Sequence, residues 1–374
     1  MVDMVVISNK YSVVRKTVLI HLFLILCSLS GLAQITNIVI LEKDEIRNLK
    51  EIISKNNTVK LMYDSVYYTA EQALKRNPQP VEVIKYEGLL ENNPARIKTT
   101  ESLKDADAVV SLIYAGYGKK DSRFGLKVKD FVLAWAEIYK PNGNPINENK
   151  LNAFFWGYFL FRKQFTKKER EKTENWLLEI AEKEMNNKNV PNNNWEAKRL
   201  KITGTIGCIL NNEKLKNHSY EGFKKYINTA YFADGTSNDL ETRDALHYHI
   251  SGLTPCISAF INLSKFDRRF DLFEYESETG SSVKKSVEYV VPFATGEKQR
   301  KEWTNSKVKL DRERAAAGFA EYQPGKLYEP ENAYQMFEWA CYYKPEWFSV
   351  FEKSKTEKYT ATWIGLLNSP LIRK

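Results

Sequence analysis

Long apolar runs are nearly missing from this 374-residue sequence. The exception, Thr17 to Ala33 (TVLIHLFLILCSLSGLA), follows Lys10, Arg15 and Lys16 and ends in small residues, the layout of a secretory signal peptide. Cleavage after Ala33 is expected, so residues 1–33 are set aside. Leu26 stands before Cys27 where a lipid anchor wants a small residue, and a run of about 17 residues is short of the about 20 that a spanning helix needs. The remainder is expected to be exported, secreted or periplasmic, and without stable membrane insertion. Cysteine is scarce as well. Of the three left after cleavage, Cys208 and Cys256 lie in apolar helical context, which predicts buried thiols with at most one disulfide and excludes a bridged scaffold. A G-x-S-x-G turn and a plausible Cys–His pair are both absent, so nucleophilic hydrolysis has no signature. Alternating strand patterns are rare and no fixed repeat period exists, which excludes a solenoid. No linker of domain-boundary composition interrupts residues 34–374, so a single domain is expected.

Positive charge, by contrast, is in excess. The net charge is +9, and +7 remains once the leader is removed. That balance favours an acidic partner; after export, an anionic polysaccharide or a membrane surface is expected rather than nucleic acid. Apolar residues recur at three- and four-residue spacing from Leu41 onward, predicting an all-α chain. Helices are expected near 43–55, 59–77, 104–116, 126–140, 150–164, 168–186, 196–211, 219–232, 240–264, 283–291, 311–320, 330–342 and 346–353. Breakers separate them at KPNGNP (140–145), NNKNVPNNN (186–194) and ADGTS (233–237). A dozen short-linked helices cover their apolar faces by closing into a toroid of antiparallel hairpins. Residues 266–310, rich in Tyr, Phe and Lys, are expected to form an excursion such as a lid or a small hairpin.

Half of the chain's four histidines fall in RDALHYHISGLTPC, Arg243 to Cys256. On one continuous helix, Arg243 would sit beneath His247 and Asp244 beneath Tyr248, whereas His247 and His249 would diverge by about 200°. Divergent ligands do not grip one metal, and no metal site is expected. What remains is proton chemistry: a cation such as Arg243 beside Tyr248 would lower the phenol's pKa and let it act as a base. The plainer alternative makes Tyr248 and His249 satisfied polar residues at a helix start, capped by Asp239 or Asn238. A second polar turn, VPNNNWEAKR (Val190 to Arg199), leads into another helix. Its asparagines either cap that helix or offer amide donors to a substrate carboxylate, with Trp195 as a platform for a sugar ring. EKQRKEW (297–303) sets Lys298, Arg300 and Lys301 beside Trp303, either a flanking sugar subsite or a solvated basic face. Tyr322 and Tyr328 either line the same groove or pack, and His218 is read as structural.

Taken together, VKDFVLAWAE (128–137), NNNWEAKR and ALHYHISGLTP resemble, in that order, the alginate lyase superfamily of secreted polysaccharide lyases, over about residues 100–265. The resemblance implies an incomplete (α/α) toroid and β-elimination on a uronate polymer, with no metal or organic cofactor. It implies that Tyr248 is the catalytic tyrosine and that Asn194 binds the substrate carboxylate. Asn193, Trp195 and Arg199 of the same turn, with Arg300 and Tyr322 later in the chain, are the further candidate substrate contacts. Two departures stand out. Trp195 occupies the place of the family's histidine, so either His247 or His249 supplies an imidazole or Tyr248 works alone as base and acid. The family's arginine is found only in shifted form, as Arg243.

Overall fold

The computed structural model describes residues 38–90, 92–353 and 363–373; the expected leader lies outside them. Two kinds of helix alternate along the chain. Helices α2 (Asn57–Lys75), α4 (Ser122–Ile138), α7 (Lys167–Asn186), α9 (Glu213–Ala230) and α12 (Val283–Ala294) bury one stripe each. In α2 the stripe is Val59, Tyr63, Val66, Ala70 and Ala73, the three-and-four spacing of an amphipathic helix. Helices α3 (Pro94–Gly118), α6 (Asn152–Phe161), α8 (Asn194–Leu210), α11 (Leu246–Leu263) and α14 (Tyr334–Ala340) are buried nearly all round over much of their length. A helix apolar on every side has to be wrapped by others, and these five pack in succession, α3 on α6, α6 on α8, α8 on α11 and α11 on α14. They form an inner arc, with the amphipathic helices outside it. The architecture is the expected incomplete (α/α) toroid.

Inner helices approach closely where glycine allows it. A Cβ on Gly207 of α8 would lie 2.9 Å from the backbone nitrogen of Lys216 and from Leu215 Cβ, so only glycine lets the start of α9 cross there. The stretch VKDFVLAWAE is an outer-helix stripe, Val128, Phe131, Val132 and Trp135. Its Trp135 indole donates to the buried Asp105 carboxylate on α3 (3.0 Å), which also receives Arg76 and the backbone of Gln79.

The arc is fastened by its ends. Residues of α1 (Lys43–Lys55) meet the last described segment: Asn48 donates to the Ile372 carbonyl (3.1 Å), and Glu45 receives both Arg373 and Lys265. Among the described residues no helix is long and apolar enough to cross a membrane. The three cysteines are buried free thiols.

Most expected helices are present with small shifts. α3 starts ten residues early because Asn93 caps it and Pro94 opens it. The predicted helix 240–264 is interrupted: α10 (Asn238–Arg243) ends at Asp244, which is left-handed (φ 51°), and α11 begins at Leu246. The excursion also lies later than expected. Residues 283–294 belong to the outer layer as α12, and the excursion proper runs from about 295 to 328. It holds a hairpin of β1 (Lys301–Glu302) with β2 (Lys326–Leu327) and a short helix, α13 (Lys309–Ala316).

Two buried glutamates, Glu148 and Glu184 of α7, face each other. Tyr139 and two loop amides donate to Glu148, whereas neither oxygen of Glu184 has another donor. Burial raises both carboxyls above the ordinary value of 4.5, and their mutual contact raises Glu184 further. A carboxyl with a raised folded pKa binds more protons folded than unfolded, so stability declines as pH climbs from 4.5 towards the raised values. Melting curves across that range should show the decline, and Glu184→Gln, whose amide donates an N–H that does not titrate, should flatten it; parallel curves for the two proteins would refute a raised Glu184 carboxyl pKa.

Candidate active site

The inner helices α8 and α11 begin side by side, and their first turns carry the polar residues singled out in the sequence. Asn193 is the N-cap of α8, its side-chain oxygen accepting from Trp195 N (3.0 Å). Asn192 donates to Thr229. Two of the three asparagines are thus structural, and Asn194 differs from both. Its backbone N–H donates to Asp239 (2.9 Å) and its amide to Ser251 Oγ on α11 (3.0 Å), while its side-chain oxygen is buried without a partner. Ser251 carries a second constraint. Pro255, four residues on, has no N–H to give to the Ser251 carbonyl. Lys198, one turn into α8, donates to that carbonyl (3.4 Å), to Ser251 Oγ (3.3 Å) and to the Asn194 carbonyl (3.4 Å).

The break at Asp244 sets up the other half. Arg243, instead of lying one turn beneath His247 on one helix, folds back over the face of the Tyr248 ring, its guanidinium carbon 3.3 Å from the ring centroid. There it pairs with Asp311 of the excursion, 2 % exposed, through Nε (2.9 Å) and a second, shorter contact through Nη2. Glu302 Oε1 accepts the first N–H of α11, at Leu246 (2.5 Å), so the cap is neither Asp239 nor Asn238. Asp244 receives Arg300 (2.6 Å) and Asn305 N (2.9 Å). Trp303, itself left-handed (φ 63°), stands edge-on to Tyr248 (5.8 Å, 89°) and packs on Tyr322 (4.8 Å). Arg314 of α13 bridges the two phenols, donating to Tyr322 (2.8 Å) and to Tyr248 (3.3 Å).

Protonation follows from these surroundings. Tyr248 is 9 % exposed, and burial raises its pKa above the ordinary 10.0 even though Arg243 pulls the other way. The expected lowering is outweighed, and the phenol is protonated at neutral pH. His247 is exposed, but the protein packed along its ring partly desolvates it, and this, with Lys198 and Arg243 nearby, holds its pKa below 6.5. Its ring is edge-on to Tyr248 at 5.2 Å. A neutral imidazole therefore adjoins a protonated phenol.

His249 points elsewhere. It is 1 % exposed, with Nδ1 on Ser237 Oγ (2.7 Å) and Nε2 on the Ser286 carbonyl (3.1 Å), and burial lowers its pKa to about 4. Arg199 lies on the α9 flank of α8, bonded to Glu196 and the Asn187 carbonyl, in a cavity of about 540 Å³ that it shares with His218 and Tyr226. Arg300 opens on a separate hollow of about 270 Å³ with Asp234 and Lys307. Trp195 is half-buried at the first turn of α8. Tyr322 is brought to Tyr248, whereas Tyr328 is buried. The acidic side chains near this turn are spoken for: Asp239 holds Asn194 N and Asp244 holds Arg300.

Sequence reasoning missed Arg314, Asp311, Glu302 and Lys198. Only Lys198 carried a local signal, lying one turn after Asn194. Arg243 is 13 % and Asp311 2 % exposed at the side chain. Removing one partner of a buried pair typically costs about 3–5 kcal/mol. Asp311→Ala should therefore lower unfolding free energy by about 3 kcal/mol in urea titrations; a loss below about 1 kcal/mol, the size of a surface pair, would contradict the clasp described here.

A family model described as Alginate lyase matches residues 48–300. No curated protein matches. Among solved structures, an alginate lyase from Bacteroides ovatus superposes with a TM-score of 0.64 at 15 % identity, over 87 % of this chain and 97 % of that one. Alginate lyase A1-III from Sphingomonas species A1 aligns over 72 % of this chain and 92 % of its own, with a TM-score of 0.47 at 14 % identity. With two thirds of its length accounted for by the family pattern and the same helical toroid as a solved member, the chain belongs to the alginate lyase family of polysaccharide lyases.

Proposed function

We propose that this protein cleaves a 4-linked uronate polymer of the alginate or glucuronan type by β-elimination, with His247 and Tyr248 dividing the proton transfers. The observation that carries the proposal is the pinned phenol: Tyr248, flanked by Arg243 and Arg314, stands beside an exposed imidazole on the helix whose Ser251 takes the Asn194 amide. Elimination must remove the C5 proton next to a carboxylate, and that proton is barely acidic while the carboxylate keeps its full charge. Asn194 contributes an amide to the carboxylate as the enediolate forms, stabilisation of the oxyanion-hole kind. Neutral His247 takes the C5 proton. Protonated Tyr248 gives its hydrogen to the departing O4, the C4–O4 bond breaks, and a C4–C5 double bond forms without water. The imidazolium then returns a proton to the phenolate, which the two arginines stabilise in the interval. Opposed pKa shifts in adjacent groups are the pattern that separates an acid from a base. Arg243, committed to Asp311 and the ring face, serves the phenol rather than the sugar carboxylate. Residues 34–374 act as one exported domain, since a polymer substrate is met outside the cell.

Mixing the protein with alginate, polymannuronate and glucuronan should generate the ultraviolet absorbance of the conjugated double bond. Tyr248→Phe should lower turnover by about 10²- to 10⁴-fold with little change in KM, the usual range for losing a general acid–base group. Turnover should fall as pH drops through the lowered His247 pKa, because the base must be neutral. New reducing ends without the chromophore would identify a hydrolase instead, and binding of these polymers without turnover would identify a glycan-binding protein.

A further inference from the structure

Arginines around Tyr248 are already taken. Arg243 pairs with Asp311 and Arg300 with Asp244, while Arg314 has its donors on the Tyr248 and Tyr322 hydroxyls. Lys198 faces neither a carboxylate nor a catalytic phenol: its three acceptors, Asn194 O, Ser251 O and Ser251 Oγ, are neutral and long at 3.3–3.4 Å, and among the described residues no carboxylate lies within 4.0 Å of its ammonium. We propose that Lys198 binds the uronate carboxylate at the cleavage position, sharing it with the Asn194 amide. The inference rests on the lyase reading above and names the cation which that reading leaves open.

Two features support it. Lys198 is half-buried, so it is reachable, yet desolvated enough that an unpaired charge is costly until an anion arrives. Both Lys198 and Asn194 are gathered on Ser251, so an anion seated between them meets a cation and an amide together. Filling the Ser251 carbonyl left open by Pro255 needs a donor but no charge, so a purely structural role would be indifferent to the ammonium's titration.

The charged and titratable groups facing Lys198 are Asp239 from α10, His247 and Cys256 from α11, Lys150 from the turn before α6, and Lys201 on α8 itself. Desolvation above all, opposed by Asp239 and assisted by Lys150, lowers its pKa to about 8. A carboxylate seat built on this ammonium is therefore intact below that value and is lost as pH rises through it.

Calorimetric titration of saturated tetramannuronate and tetraglucuronate into the Tyr248→Phe protein measures binding without turnover. Lys198→Met added to that background should weaken binding by about 10- to 100-fold, the range for one charge-assisted hydrogen bond. Without the substitution, affinity should fall as pH passes about 8. Lys198→Arg should restore most of the affinity and carry it to higher pH, while Lys198→Gln, a neutral donor, should behave as the Met variant does. Unchanged affinity in a folded Lys198→Met or Lys198→Gln protein would overturn the assignment, and so would an alkaline loss that the Arg variant leaves where it was. A wild-type protein that eliminates none of the uronates would defeat the lyase reading alone, because the binding titrations still judge Lys198. Brisk elimination with unaltered binding in the Lys198 variants would defeat only this inference.

Discussion

One buried ion pair holds the site together. Arg243 and Asp311 are 68 residues apart, and their contact anchors the excursion over the start of α11 and presses a guanidinium flat against Tyr248. Such pairs add little net stability, since desolvation consumes most of the Coulomb gain. What this one supplies is register. With Arg243 fixed, Asp244 can take its left-handed turn and accept Arg300 and Asn305. Glu302 can then cap Leu246, and Trp303 can stand against the phenol. Every group around the Tyr248 hydroxyl reaches it through this clasp or lies on the helix it orients.

Much of the toroid was legible because it is written in local periodicity. Stripes such as Val59, Tyr63, Val66 and Ala70 mark outer helices by themselves. The inner helix from Leu200 to Ile209 shows the opposite pattern, buried throughout. The asparagine turn and the tyrosine helix were recognisable for the same reason, as short polar stretches entering apolar helices. The interruption at Asp244 was not legible. Arg-Asp-Ala-Leu has no helix breaker, and the left-handed aspartate is held by partners some 60 residues downstream. Arg314 and Glu302 were hidden likewise, being ordinary charged residues until the hairpin brings them to α11. His249 shows the limit of motif reading: a titratable ring beside the key tyrosine is spent on Ser237 and Ser286.

Burial and charge compete at this site, and their balance differs by residue. A guanidinium at 3.3 Å does lower the Tyr248 phenol, but removal from water raises it more, so proximity to a cation does not by itself make a base. For a cationic acid the sign of desolvation reverses, and the same enclosure leaves His247 unprotonated and Lys198 weakened. A protonated phenol and an unprotonated imidazole thus stand side by side at the same pH.

The fastening of α1 to the last described segment bears on how the chain reaches this form. Glu45 and Arg373 are separated by 328 positions, and Asn48 and Ile372 by 324. Bringing such distant points together carries a loop-closure entropy that local hairpins avoid. Hairpins along the arc are therefore expected to form early, with the seam sealing last. Until it seals, the inner helices at the two ends of the arc each lack a neighbour and leave apolar surface open to other chains.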